Sequence, residues 1–276
     1  MTGKHQINIK DIDWQELWCE KLNKKTDRKK DWDKEAPKFH KSAKRDDYHN
    51  ALIEQLDIKP TDTILDLGCG EGTITIPLSK LSKHVTGLDS SGKMLELLNK
   101  KCETHGIANI DTIEMDIEEL DAKTIGEYDI VIASRSLNNI LNINKVVSEI
   151  NKIAQKSVYI TLFGPNNWRI EREFYEWINK PYADFPTHDY FFNILFNLGI
   201  YCNVTNLDIG KPREYNSIED AIESGKWRKD QLTHEELEKL KEYLTKVMKK
   251  DTKTGKYSSS SDRADWILFW WKKWEK

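Results

Sequence analysis

Cysteine is scarce in this chain: four residues in 276, at positions 19, 69, 102 and 202, with no two at metal-ligand spacing. A zinc ribbon or a disulfide framework is therefore excluded as the organising device, and no metal site is expected. Long apolar runs are missing as well. Nothing approaches the roughly 18 residues needed to span a bilayer, and residues 1–10 lack the apolar stretch of a signal peptide, so a cytoplasmic protein away from membranes is expected. Nor is there an excess of one charge. Lys and Arg total 43 against 46 Asp and Glu, giving a net charge of −3 and a pI near 6.2. Such a balance exerts no global attraction on phosphate backbones, which makes a nucleic-acid partner unexpected. The one basic run, residues 24–30, is interleaved with and followed by acids, the pattern of a solvated helix end. Repeats and low-complexity tracts are absent apart from the serines at 258–261. With 38% hydrophobic residues the chain can bury a substantial core, as one large domain or one domain with an insertion.

The most informative stretch present is residues 63–73, Thr-Ile-Leu-Asp-Leu-Gly-Cys-Gly-Glu-Gly-Thr. An apolar strand ends in an acid and runs into alternating glycines, and helical patterning follows over 73–81. Glycines at a strand-to-helix turn let a ligand approach backbone N–H groups. Gly68, Gly70 and Gly72 do not complete a dinucleotide fingerprint, whose third glycine would fall at Thr73. Asp66 stands inside the strand, where a lone carboxylate is costly to bury. A cationic ligand group would justify it.

The motif Asp66-Leu67-Gly68-Cys69-Gly70-Glu71-Gly72 resembles the first motif of class I S-adenosylmethionine-dependent methyltransferases. Three further signals follow in the order that this resemblance requires. Residues 84–89 form a second apolar strand ending in Asp89, 21 residues after Gly68, the distance of a ribose-binding carboxylate. Ser90 or Ser91 would cap the next helix. Residues 110–117 alternate as a third strand stopping at Asp116; the resemblance makes Asp116 the acceptor for the adenine amino group, with Ile117 against the ring. Residues 128–134 are a continuous apolar run fit for a strand buried on both faces. It delivers Ser134, Arg135 and Ser136 to the carboxyl end of the sheet, where ligands of open α/β sheets bind. The resemblance thus implies S-adenosylmethionine as methyl donor, S-adenosylhomocysteine as product, and a cofactor set of Asp66, Gly68, Gly70, Asp89, Ser90, Asp116, Ile117 and Ser134.

A fifth strand is expected at 157–163, a sixth at 201–207, and a seventh at 264–271 returning antiparallel. The fold class is therefore α/β, a Rossmann-like, seven-stranded, doubly wound sheet with an antiparallel last strand. N-terminal helices at 11–25 and 42–55, marked by apolar residues three and four apart, cover it. The expected domain plan is a helical cover and cofactor lid over 1–58, the core over 59–208, a helical insertion and loop over 209–262, and the final strand over 263–276. Residues 31–39 resemble the N-terminal segment that closes over the cofactor in such enzymes, with Trp32 and Phe39 as its aromatic residues.

After the fifth strand comes an aromatic-rich stretch, Trp168 through Phe192. Its rings are suited to walling an acceptor pocket or to core packing. Within it, His188 and Tyr190 can accept a proton from a nucleophile, and Arg135 can bind an acidic group. These three are the catalytic candidates. The Asn/Asp-Pro-Pro-Tyr/Phe motif of base and glutamine N-methyltransferases is missing at 134–137, which reads Ser-Arg-Ser-Leu. The expectation is methyl transfer to a small-molecule acceptor. The alternatives are a methyltransferase acting on protein or RNA, or a non-catalytic relative that serves as a partner module.

Overall fold

The computed structural model describes residues 9–23, 31–34, 36, 47–182, 185–207, 209, 211–225, 227 and 229–273. Two compact units divide the chain: one holds residues 1–163, 185–207 and 267–276, the other residues 164–184 and 208–266.

The first unit is built on a seven-stranded sheet. Its strands are β1 (Thr63–Leu67), β2 (His84–Asp89), β3 (Ile110–Glu114), β4 (Tyr128–Ser134), β5 (Ala154–Phe163), β6 (Asn203–Leu207) and β9 (Trp266–Lys272), in the order β3-β2-β1-β4-β5-β9-β6. Strands β1 to β5 run parallel, with Asp66 level with Gly87 on one side and Ile132 on the other. β9 runs antiparallel to β5. The Gly164 N–H bonds the Asp265 carbonyl just beyond one end of the pair, and the Lys273 N–H bonds the Lys156 carbonyl at the other. The expected seven strands and the reversed last one are both present.

Alternation explains the layers. Leu65, Leu67, Val131, Ala133, Val158, Ile160 and Leu162 point to one face, where they meet α1 (Trp14–Asn23), α6 (Ile143–Ile153) and α8 (His188–Asn197) through Trp18, Leu22, Val146, Val147, Ile150, Phe191 and Leu195. All of these side chains are 2% exposed or less, which at about 25 cal/mol per Å² makes this face the main source of stability. Trp18 also donates its indole N–H to the Ile140 carbonyl at 2.7 Å. The other face is served by α2 (Tyr48–Ile53), α3 (Thr75–Ser79) and α4 (Gly92–His105). There Leu95, Leu98 and Cys102 pack on Cys69 in the glycine turn.

One boundary differs from expectation for a local reason. β3 stops at Glu114, because the Asp116 side chain accepts the Glu118 N–H at 2.9 Å and caps a 3₁₀ turn, Ile117–Glu119. Helix α2 is described over Tyr48–Ile53 only, and the rest of its expected start, 42–46, lies outside the described residues. Among the described residues, no helix is long and apolar enough to cross a membrane.

The second unit has its own core. Ile170, Phe174 and Tyr175 of α7 (Arg169–Trp177), Ala221 of α9 (Ile218–Ser224), Trp227, and Leu240, Tyr243 and Leu244 of α10 (His234–Val247) form one cluster. A capping box at Thr233 and Glu236 starts α10. Within the expected helical insertion and loop over 209–262, a hairpin follows α10, pairing β7 (Lys249–Lys250) with β8 (Tyr257–Ser258). Two polar hubs fasten it. Glu173 accepts from Arg169 at 2.7 Å, Ser261 at 3.1 Å and Tyr243 at 3.3 Å, and Asp262 accepts from Tyr215 at 2.6 Å. Burial first, and then the neighbouring Glu173 charge, pushes the Tyr243 hydroxyl well above its ordinary range.

Candidate cofactor and acceptor site at the carboxyl edge of the sheet

The strand order reverses between β1 and β4, so the crevice of this open sheet lies beyond the carboxyl ends of those two strands. Beyond β1 the chain turns at Gly68, with φ +72°, and Gly70, with φ +54°. A Cβ on Gly68 would stand 2.4 Å from Ser136 Cβ and 3.5 Å from Ile117 Cδ1, whereas one on Gly70 would meet nothing within 4 Å. Gly68 is thus the point where the segments after β1, β3 and β4 converge. Gly70 faces open space.

The amide groups of this turn are already committed. The Gly68 and Cys69 N–H groups both donate to the Leu88 carbonyl, at 2.7 and 3.1 Å, and the Gly70 N–H donates to Asp89 Oδ2 at 2.8 Å. A pyrophosphate would need those donors. The helix that follows, α3, is only five residues long and offers little dipole. What the turn presents instead is carboxylate.

Asp89, last in β2, also accepts the Ser91 N–H at 2.9 Å. Ser91, not Ser90, caps α4: its hydroxyl accepts the Met94 N–H at 3.2 Å and donates to Asp33 Oδ1 at 2.6 Å. Asp33 also accepts the Lys93 N–H at 3.3 Å, so the described part of the N-terminal segment meets the start of α4 beside Asp89. Trp32 of that segment is 40% exposed, and Phe39 lies outside the described residues. Asp66 is 1% exposed and accepts the Thr75 hydroxyl at 2.7 Å. Burial, reinforced by the charge of Asp89, pushes its carboxyl up to about 7. Burial likewise raises Asp89, against the pull of the N–H groups that it accepts. Ser90 is exposed, Asp116 half-buried, and Ile117 buried.

Beyond β4 and β5 the chemistry is different. Tyr48, fully buried on α2, shares hydrogen bonds with Ser134 Oγ at 2.8 Å and Thr161 Oγ1 at 2.5 Å. Thr161 in turn accepts the Arg135 N–H at 3.0 Å. The Arg135 guanidinium lies 4.1 Å from the Tyr48 ring centre and 3.3 Å from His49 Nε2, on a backbone held at φ +61°. A non-glycine residue in that region is uncommon, and here a hydroxyl, a ring and an imidazole together hold it. Asn138 ties the turn to β5: it donates to the Arg135 carbonyl at 3.3 Å and accepts the Phe163 N–H at 3.1 Å. Ser136 Oγ is buried and makes no hydrogen bond.

The aromatic stretch divides. Tyr175 and Tyr182 pack at 5.2 Å within the second unit, and Trp177 leans on Tyr243 at 5.7 Å. In the first unit, Phe185 packs on Phe163 at 5.2 Å, at the carboxyl end of β5. Tyr190 sets its ring edge-on to Trp14 at 5.8 Å, beneath Lys21, in a packing position on α1. His188 opens α8 with Nδ1 buried and without a hydrogen-bond partner. Sequence reasoning missed the engagement of Tyr48 and the burial of Ser136. No local signal marks either, since each depends on residues far away in the chain. Among the described residues, no cluster of His, Cys, Asp and Glu is arranged to hold a metal.

Residues 58–181 match a family described as a methyltransferase domain. Residues 58–181 thus carry a methyltransferase domain. A Haemophilus influenzae protein of uncharacterised function is 25% identical over 243 residues, covering 87% of this chain and 88% of its own. Matches to named enzymes are shorter. A mitochondrial ribosomal RNA small subunit methyltransferase of Arabidopsis thaliana is 30% identical over 32% of this chain and 23% of its own. The (S)-tetrahydroprotoberberine N-methyltransferase of Eschscholzia californica is 28% identical over 37% and 29%. Among solved structures, phosphoethanolamine N-methyltransferase 2 of Haemonchus contortus, in complex with phosphomonomethylethanolamine and S-adenosylhomocysteine, shares the fold at a TM-score of 0.57. It is 17% identical, and the match covers 90% of this chain and 59% of that one.

The residues of the methyltransferase domain fit its methyl donor. S-adenosylmethionine is a cation bearing an ammonium group, a ribose diol and an aromatic base, all of which offer donors or positive charge to carboxylates. The crevice supplies a buried Asp66, half-buried Asp89 and Asp116, an apolar Ile117, an unpartnered hydroxyl at Ser136 and open space at Gly70.

Proposed function

We propose that this methyltransferase acts on a small-molecule acceptor bound beyond β4 and β5, with the donor held beyond β1, β2 and β3. The observation that carries the reading is the acidity of the crevice. Asp33, Asp89, Asp116 and Glu118 lie at and beyond the carboxyl ends of β1 to β3, and a polyphosphate chain would be repelled there, since nucleic-acid affinity comes chiefly from neutralised phosphates.

In this reading Asp89 accepts from the ribose hydroxyls, Asp116 from the adenine amino group, and Ile117 covers the base. Ser90 lies beside the ribose. Asp66 sits behind Gly68 and offsets the cationic end, while Ser136 presents its hydroxyl to that end across Gly68. Ser134 acts one step back, through Tyr48. The bound donor supplies a methyl group already activated by sulfonium charge, so the protein's task is alignment and exclusion of water. Leu137, fully buried, and the paired rings of Phe163 and Phe185 exclude it on the acceptor side. Arg135, held by Tyr48, Thr161 and His49, fixes the shape of that side.

The test uses labelled S-adenosylmethionine and fractionated cell extract. Asp89→Ala is expected to weaken donor binding by about 100-fold, because two charge-assisted hydrogen bonds within the turn and the ribose contacts are lost together. Gly70→Arg should abolish binding by filling the open space. Label is expected in the low-mass fraction that survives nuclease and protease. Unchanged binding in both variants would sink the donor assignment, and label in RNA or protein would sink the acceptor assignment.

A further inference from the structure

We propose that His188 is the proton acceptor of the transfer, and that the acceptor molecule therefore bears an N–H or O–H at the atom that is methylated. The inference rests on the function proposed above and extends it to the acceptor's chemistry.

Close approaches and short steps along the chain lead from the glycine turn towards His188. Gly68 abuts Ser136 in the turn after β4. Asn138 of the same turn accepts the N–H of Phe163, the last residue of β5. The Phe163 ring meets Phe185 at 5.2 Å, and three residues later His188 begins α8. A ten-residue helix that leads into a further strand of the same sheet starts on the carboxyl side, where the crevice lies.

The imidazole there is in an unusual state. Its Nδ1 is buried and makes no hydrogen bond, a condition that costs about 1–3 kcal/mol and is rarely retained without a use. Its neighbours do not relieve it. The Asp189 carboxylate takes the hydroxyl of Thr187, and Tyr190, two residues on and so on the opposite side of the helix, is occupied by Trp14 and Lys21. A neutral imidazole has one nitrogen that donates and one that accepts. An unpartnered buried nitrogen at the start of a helix on the carboxyl side of the sheet is a place for a proton to go.

The step balances as follows. The acceptor's nitrogen or oxygen lone pair forms the new bond to the methyl carbon. The carbon–sulfur bond breaks with its electron pair remaining on sulfur, which turns sulfonium into thioether. The proton on the acceptor atom passes to His188 Nδ1 and leaves later to solvent. A tertiary amine or a thioether acceptor has no such proton and would not need the histidine.

The experiment compares full-length wild type with His188→Ala, His188→Gln and Tyr190→Phe. Each is assayed for label transfer to the low-mass extract fraction, for S-adenosylhomocysteine affinity by calorimetry, and for thermal unfolding. Loss of a general base lowers rate by about 100-fold or more. That loss is expected in both His188 variants, with S-adenosylhomocysteine affinity within about twofold of wild type and with partial rescue of His188→Ala by added imidazole. Tyr190→Phe should transfer label at the wild-type rate. Independently of turnover, the His188 Hε1 resonance, assigned by its disappearance in His188→Gln, should shift when the fraction that takes the label and S-adenosylhomocysteine are added together. A rate within about threefold of wild type in His188→Gln would overturn the proposal. So would failure of imidazole to rescue a folded His188→Ala, or an unmoved resonance. Should His188→Ala not fold, the Gln rate and the resonance decide. Failure of wild type to bind S-adenosylhomocysteine or to label that fraction at all would instead defeat the function on which the proposal rests.

Discussion

Beyond β1, β2 and β3 the crevice presents carboxylates held by their own strand ends: Asp66 by Thr75, Asp89 by Gly70 and Ser91, Asp116 by Glu118. Beyond β4 and β5 it presents hydroxyls, rings and an imidazole joined across distant elements: Tyr48 to Ser134 and Thr161, Asn138 to Phe163, Phe163 to Phe185. The first region is local and charged, the second long-range and neutral apart from Arg135. A donor that is the same throughout a family can be bound by residues fixed near one another in sequence. An acceptor peculiar to one enzyme is met by residues that only packing assembles.

The largest effect that would break this contrast is expected at Gly68, where the two regions touch. Gly68→Ala forces a side chain into a left-handed conformation and against Ser136 Cβ at 2.4 Å. Left-handed strain of about 1–2 kcal/mol and overpacking of about 1–3 kcal/mol combine to roughly 2–5 kcal/mol. Denaturant unfolding should report that loss, together with loss of S-adenosylhomocysteine binding. A nearly neutral variant would mean that the segments after β1 and β4 are not pressed together.

Next comes the charge of the donor side. Burial raises the Asp66 carboxyl to about 7, above its ordinary value in the unfolded chain. Between about pH 4 and 7 the folded state keeps a proton that the unfolded chain has released, so stability is highest at the acid end and falls as pH rises through that window. A shift of that size amounts to at most roughly 4 kcal/mol. Asp89, also raised by burial, adds to the slope with the same sign. Unfolding free energy measured against pH should decline in wild type and flatten in Asp66→Asn, and equal slopes would show that Asp66 folds already ionised.

The smallest effect probes the acceptor side. Tyr48→Phe removes the hydroxyl that joins Ser134 to Thr161 at a cost of about 1–2 kcal/mol. Because this network also holds Arg135, the acceptor KM should rise while S-adenosylhomocysteine affinity stays within about twofold. A fall in donor affinity instead would place Tyr48 on the charged side of the crevice and dissolve the distinction.

The donor side was legible in the sequence because its logic is short-range. An acid before a glycine turn and a second acid one strand later are separated by one βα unit, and parallel pairing brings them to the same edge. Even there, Ser91 rather than Ser90 became the cap, a choice that depends on backbone angles at two adjacent serines. The acceptor side was less legible. Tyr190 and His188 looked alike as proton acceptors, yet one packs on α1 and the other keeps a bare nitrogen. Tyr175 and Tyr182, suited by sequence to a pocket wall or to core packing, pack with the core of the second unit.

By itself, the sequence determined the class of sheet, its strand count, the reversal of the last strand and the placing of Asp66, Asp89 and Asp116 towards the carboxyl ends of β1 to β3, because hydrophobic period, turn glycines and fixed spacing act over a few residues to a few tens. Only the tertiary structure decided that Tyr48 would bond Ser134 and Thr161, 86 and 113 residues away, and that Ser136 Oγ and His188 Nδ1 would be buried without partners. Burial and hydrogen-bond satisfaction are properties of an environment assembled from distant segments, and no local pattern encodes them.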